Sequence, residues 1–130
     1  MTDKELLSLA VNAMEKSYSP YSNCKVGAAL LCKNGKIFTG TNIENASFSP
    51  TVCAERTALF KAVSEGERKF KAIAVAGGKD GVIKGLCTPC GVCRQALSEF
   101  CLPTMPVVLA KEDGFELTTL GELLPMSFTL

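Results

Sequence analysis

Three cysteines and a glutamate carry the chemistry that these residue types allow. Cys53 and Glu55 lie in Thr51-Val52-Cys53-Ala54-Glu55-Arg56, and Cys90 and Cys93 in Thr88-Pro89-Cys90-Gly91-Val92-Cys93. Three thiolates leave the fourth position of a tetrahedral zinc open to water, which separates a catalytic zinc from a structural one. On that reading Glu55 moves protons and does not bind the metal. The chain has no histidine. Its absence removes the usual general base, excludes Cys-His and Ser-His-Asp sites, and leaves a zinc site to thiolates and carboxylates.

Other readings of the same cysteines stay open. Cys87, Cys90 and Cys93 could join Cys53 in a closed four-sulfur site. Cys90-x-x-Cys93 alone could be a dithiol redox pair, and four cysteines are enough for an iron–sulfur cluster. The open three-sulfur site is preferred because Cys87 precedes Pro89, outside the expected helix, and the order of elements is not that of thioredoxin. Cys24, Cys32 and Cys101 read as small apolar residues or surface thiols.

The elements that must position this set follow in order. Thr2 with Glu5 forms a capping box, and Leu6, Leu7, Ala10, Ala13, Met14 and Tyr18 mark one face of a first helix. Residues 26–32 and 37–41 are strands around Asn34-Gly35, a dipeptide that suits a type I′ turn. Asn42-Ile43-Glu44-Asn45 follows at the end of the second strand. Ser49-Pro50-Thr51 reads as the start of a second helix, which ends at Gly66. Residues 72–76 form a buried strand, and a glycine-rich loop runs from Gly77 to Gly85. Thr88-Pro89 starts a third helix, residues 106–110 and 115–117 are strands, and a short helical turn spans 119–124. The order α-β-β-α-β-α-β-β-α with near-continuous apolar strands predicts one domain over residues 1–130. Its architecture is α/β, a mixed five-stranded sheet with helices on both faces in three layers.

Both cysteine motifs then open helices, where unpaired N–H groups and the dipole favour thiolates. Three thiolates, a zinc ion and a hydroxide leave a net negative charge, and Arg56 is its natural counter-charge. The spacing of Cys53 and Glu55 is less transparent, since residues two apart on a helix point about 200° apart.

Composition narrows the class. With 130 residues, 47% of them hydrophobic, the chain can bury a core, and a net charge of +1 leaves no basic footprint for nucleic acid. No apolar stretch approaches the ~20 residues of a membrane span, and the N-terminus lacks a signal-peptide pattern. A cytoplasmic protein is expected, with its seven cysteines reduced or metal-bound.

Cys53-Ala54-Glu55-Arg56 together with Pro89-Cys90-Gly91-Val92-Cys93-Arg94-Gln95 resembles the small homotetrameric cytidine deaminases. The likeness extends through Pro20-Tyr21-Ser22, Val26-Gly27-Ala28-Ala29, Asn42-Ile43-Glu44-Asn45-Ala46, residues 57–63 and Glu122-Leu123-Leu124-Pro125. It implies one Zn²⁺ per chain on Cys53, Cys90 and Cys93. It implies attack of water on C4 of cytosine, with Glu55 carrying protons to N3 and then to the leaving amine, in pyrimidine salvage. Asn42 and Glu44 would bind the ribose 3′-hydroxyl, the Ala54 N–H the base carbonyl, and Phe128 would reach the base held by a neighbouring subunit. The partners so implied are a free nucleoside and further copies of the chain, a homotetramer with shared active sites, and neither nucleic acid nor membrane. Two positions depart from the pattern: Cys24 stands where an aromatic residue is common, and Phe48 where a tyrosine is common. A related reading is deamination of another cytosine-bearing molecule such as a nucleoside antibiotic. A rival of another class is a zinc module whose metal only holds helices together.

Overall fold

The computed structural model describes all residues 1–130. Two apolar faces on one sheet determine the architecture. Along β1 (Cys24–Cys32) side chains alternate, so Ala28, Leu30 and Cys32 enter one core while Ala29 and Leu31 enter the other. The sheet order is β2 (Ile37–Thr41), β1, β3 (Phe70–Lys79), β4 (Pro106–Lys111) and β5 (Gly114–Thr119). The β3–β4 pair is parallel and the other three are antiparallel. This is the mixed five-stranded sheet expected from the strand pattern.

One face is covered by α1 (Asp3–Ala13), through Leu6, Leu7, Ala10 and Met14 of the 3-10 turn that follows it. Small residues beneath, Ala29, Ala72, Ala74 and Ala76, let this helix lie close to the strands. At Gly27 a Cβ would sit 2.1 Å from the Ala10 carbonyl oxygen, so no side chain fits there. The opposite face is covered by α2 (Ala54–Ser64), α3 (Gly91–Phe100) and α4 (Leu120–Leu123), with Leu59, Leu97 and Leu120 buried over Leu30, Ile73, Val75 and Val107. Helices on both faces complete the three layers.

Four local expectations are corrected. Helix α2 begins at Ala54, not near Pro50, because Val52 forms a two-bond bridge with Ile43 (3.0 Å each way) that holds this stretch extended. Helix α3 begins at Gly91, with Cys90 extended before it. The hairpin turn is not type I′, because only Gly35 takes a positive φ. Its amide donates to Cys32 O, Cys32 N to Lys36 O, and Lys36 N to the Asn34 side chain, the pattern of a type I turn closed by a glycine bulge. Strand β3 also runs to Lys79, taking in Gly77 and Gly78 from the expected loop.

Candidate zinc centre

The N-terminal ends of α2 and α3 meet over the same face of the sheet. Cys53 and Cys90 are their N-cap residues, both extended (ψ 158° and 169°), and neither side chain caps its helix. Both sulfurs are therefore free to face one another, 3.6 Å apart. Cys93, one turn into α3 and buried, adds the third: the three sulfurs lie within 4.8 Å of one another. A tetrahedral zinc with bonds of about 2.3 Å spaces its sulfurs about 3.8 Å apart, so this donor set fits the metal.

The extended Cys53 also resolves the spacing of Cys53 and Glu55. Only Glu55 follows the helical direction, and both line one cleft of about 210 Å³ together with Asn42, Glu44 and Cys90. Glu55 is 3% exposed, and its Oε1 has no hydrogen-bond partner. Burial, and after it the nearby Cys53 thiolate, pushes its carboxyl up to about 7. An unpartnered buried carboxylate oxygen is costly, and is expected where a substrate or water completes the contact.

Arg56 supplies the counter-charge to the sulfurs. Its Nε donates to Cys93 Sγ at 3.4 Å and its Nη2 to Cys53 Sγ at 3.5 Å. The neighbouring Cys93 thiol and the Arg56 guanidinium lower the Cys53 thiol to about 5. The Cys53 sulfur, together with burial, holds the Cys93 thiol above its usual range. Cys87 is separate: its sulfur sits over Gly77, 2.9 Å from where a Cβ would be, and burial pushes it up to about 11. It lines the cleft but does not enter the sulfur cluster.

The remaining residues are placed unequally. Asn42 Oδ1 accepts from Val26 N (2.9 Å) and the Ser17 hydroxyl, and its Nδ2 donates to Cys24 O at 2.7 Å, so one side-chain N–H remains free. Glu44 accepts from Tyr21 N (2.9 Å), Ser22 N (3.1 Å) and the Ser22 hydroxyl, and that hydroxyl leads the causes holding its carboxyl below the usual range. Ala54 is fully buried at the first turn of α2, where backbone N–H groups lack helical partners. Phe128 lies on the exposed C-terminal tail and does not line the cleft. Phe48 is also exposed. Sequence reasoning missed Ser17 and Ser22, the hydroxyls that fix Asn42 and Glu44; Ser22 lies in the Pro20-Tyr21-Ser22 stretch, but Ser17 gave no local signal.

An open three-sulfur site beside a buried carboxylate defines a zinc hydrolase. The family model of the cytidine and deoxycytidylate deaminase zinc-binding region matches residues 1–109. A cytidine deaminase of Sporosarcina psychrophila is 48% identical over 130 residues, covering 99% of this chain and 93% of that one. The crystal structure of a cytidine deaminase from Burkholderia pseudomallei matches with a TM-score of 0.90 and 48% identity, over 98% of this chain and 100% of that one. A blasticidin-S deaminase of Bacillus cereus is 32% identical, over 98% of this chain and 92% of that one. The chain belongs to the cytidine and deoxycytidylate deaminase family.

Proposed function

We propose that this protein, a single catalytic domain over residues 1–130, hydrolyses cytidine and deoxycytidine to uridine and deoxyuridine with release of ammonia, a reaction of cytoplasmic pyrimidine salvage. The observation that carries this reading is the convergence of Cys53, Cys90, Cys93 and the unpartnered Glu55 oxygen on one cleft. The three cysteines would hold zinc, which supplies a water acidic enough to act as a nucleophile near neutral pH. Glu55, whose carboxyl is raised by burial beside the cysteine cluster, is matched to taking a proton and giving it back. It takes the first proton that the attacking water gives up and delivers it to N3 of the base, then moves the remaining hydroxyl proton to the amine as the C4–N bond breaks. Water adds, ammonia leaves, and no redox change occurs.

The free Asn42 N–H and the Glu44 carboxylate, both held rigid by their own hydrogen bonds, suit a donor–acceptor pair for the ribose 3′-hydroxyl. The Ala54 N–H is available to the base carbonyl. The cleft of about 210 Å³ is not enclosed by this chain alone, which leaves a place for a further wall from a second chain. Phe128, 67% exposed, has the chemistry for that wall, and exposed Tyr18, Tyr21 and Val92 add apolar surface for copies to cover. The assembly we propose is the one the family resemblance implies, a homotetramer with shared sites.

The relationship to a blasticidin-S deaminase favours a second reading, in which a cytosine-bearing antibiotic is the substrate. One absorbance assay separates the two. Cytidine and deoxycytidine should be converted, with free cytosine and blasticidin S far slower. Turnover of blasticidin S alone would replace the first reading with the second.

A further inference from the structure

The segment carrying Cys90 has almost no secondary structure to hold it. Residues 82–90 form no helix or strand, and Cys90 must keep a fixed place for its sulfur to meet Cys53. One side chain reaches this segment from within α3. Arg94 Nε donates to Pro89 O at 2.7 Å, while its backbone N–H donates to Cys90 O at 2.9 Å. The same guanidinium extends Nη1 to Leu123 O at 2.6 Å, a carbonyl of the last turn of α4, where no helical donor follows. Arg94 is half-buried and forms no ion pair; the single salt bridge of the chain joins Lys36 and Glu67. A half-buried cation is thus committed to two carbonyls 34 residues apart, one beside a sulfur ligand and the other where the C-terminal tail departs.

The geometry points to Arg94 as a positioning residue that holds the Cys90 segment ready for the metal and ties it to the tail bearing Phe128. Its rigid plane of donors can fix both carbonyls at once, whereas a lysine ammonium is a single point charge. Through Pro89 the contact governs how firmly zinc is kept. Through Leu123 it sets where the tail starts, and this second half rests on the shared-site reading given above. Distortion at one site is thereby transmitted toward the site that the tail completes.

The test uses zinc-loaded Arg94→Gln and Arg94→Lys in the full chain. It follows transfer of zinc to a chromophoric chelator, the thermal midpoint of each metal-free form, and KM for cytidine. Loss of a partner that orients a ligand costs roughly 10–100-fold in metal retention, so Arg94→Gln should release zinc faster by about that factor, and Arg94→Lys by less. KM should rise in Arg94→Gln. Zinc release from Arg94→Gln no faster than from the parent overturns the proposal; if that variant does not fold, Arg94→Lys decides in the same way. Release rates that coincide once each variant is compared at the same distance below its own metal-free midpoint also overturn it, because general loosening would then explain them. Phe128→Ala is run alongside. An unchanged KM there rejects the shared-site reading, while the zinc measurements still judge Arg94.

Discussion

The guanidinium of Arg56 lies against the buried sulfur of Cys93, with Nε 3.4 Å from Sγ. The contact is charge compensation built into the ligand set. Thiolates donate electron density and make zinc a poorer Lewis acid; a guanidinium on two of the three sulfurs withdraws part of it. Arg56→Gln should therefore weaken zinc binding by about 10–100-fold. The deficit should be larger at pH 6 than at pH 8, since thiols that ionise later lose more to protons in acid. Competition with a chelator at the two pH values checks this, and equal affinities would remove the role.

Glu55→Gln separates chemistry from stability. Turnover should fall by about 10²–10⁴ while zinc stays bound, as loss of a proton carrier requires. The metal-free protein should respond in the opposite sense. A carboxyl raised by burial destabilises the fold as pH climbs from its ordinary value of 4.5 to about 7, and the full penalty persists above that. The ionised form costs about 3 kcal/mol at pH 8 and nothing at pH 4. Metal-free Glu55→Gln should accordingly unfold at higher urea than its parent at pH 8 and at the same urea at pH 4.

Cys87→Ser should leave the zinc content at about one ion per chain, because the sulfur sits over Gly77 and away from the cluster. Elemental analysis of the purified variant measures it. Loss of metal would favour a closed four-sulfur site.

Gly40→Ala tests how α2 is seated. A Cβ at this position would lie 2.5 Å from Ala58 N and 2.6 Å from Ala54 O, both backbone atoms of the helix that presents Glu55. Overpacking of this kind costs typically 1–3 kcal/mol, so about that loss is expected in urea denaturation. Zinc affinity should fall with it. Gly27→Ala is the control on the far face: it strikes α1 at Ala10 and should destabilise the fold while the metal affinity of the folded protein is kept.

The order of elements and the sulfur ligand candidates were legible because they depend on local pattern. The apolar runs of β1 and β4, the Thr2 cap and the Cys-x-x-Cys spacing are short-range signals. The start of α2 was not legible, because Pro50 is a local signal for a helix while the Ile43–Val52 bridge that prevents it joins separate stretches. The hairpin failed differently: Asn34 spends its side chain on Lys36 N and leaves the positive φ to Gly35 alone. At the site, Ser17 was invisible for the same reason as the bridge, since it lies 25 residues from Asn42. The pairing of Arg94 with Leu123 spans 29 residues and carries no motif of its own.

Cys53 and Cys90 stand 37 residues apart, and between them run α2, β3 and the irregular approach to α3. A metal joining these positions is a clasp around the middle third of the chain, and its removal should be felt there before it is felt at either terminus. Amide exchange would then separate two populations. Hydrogens in the opening turns of α2 and α3 should wash out when the clasp is undone, while those of α1 on the far side of the sheet keep their pace. The catalytic ion would thus also serve as the last fastening of a core whose other face is already closed.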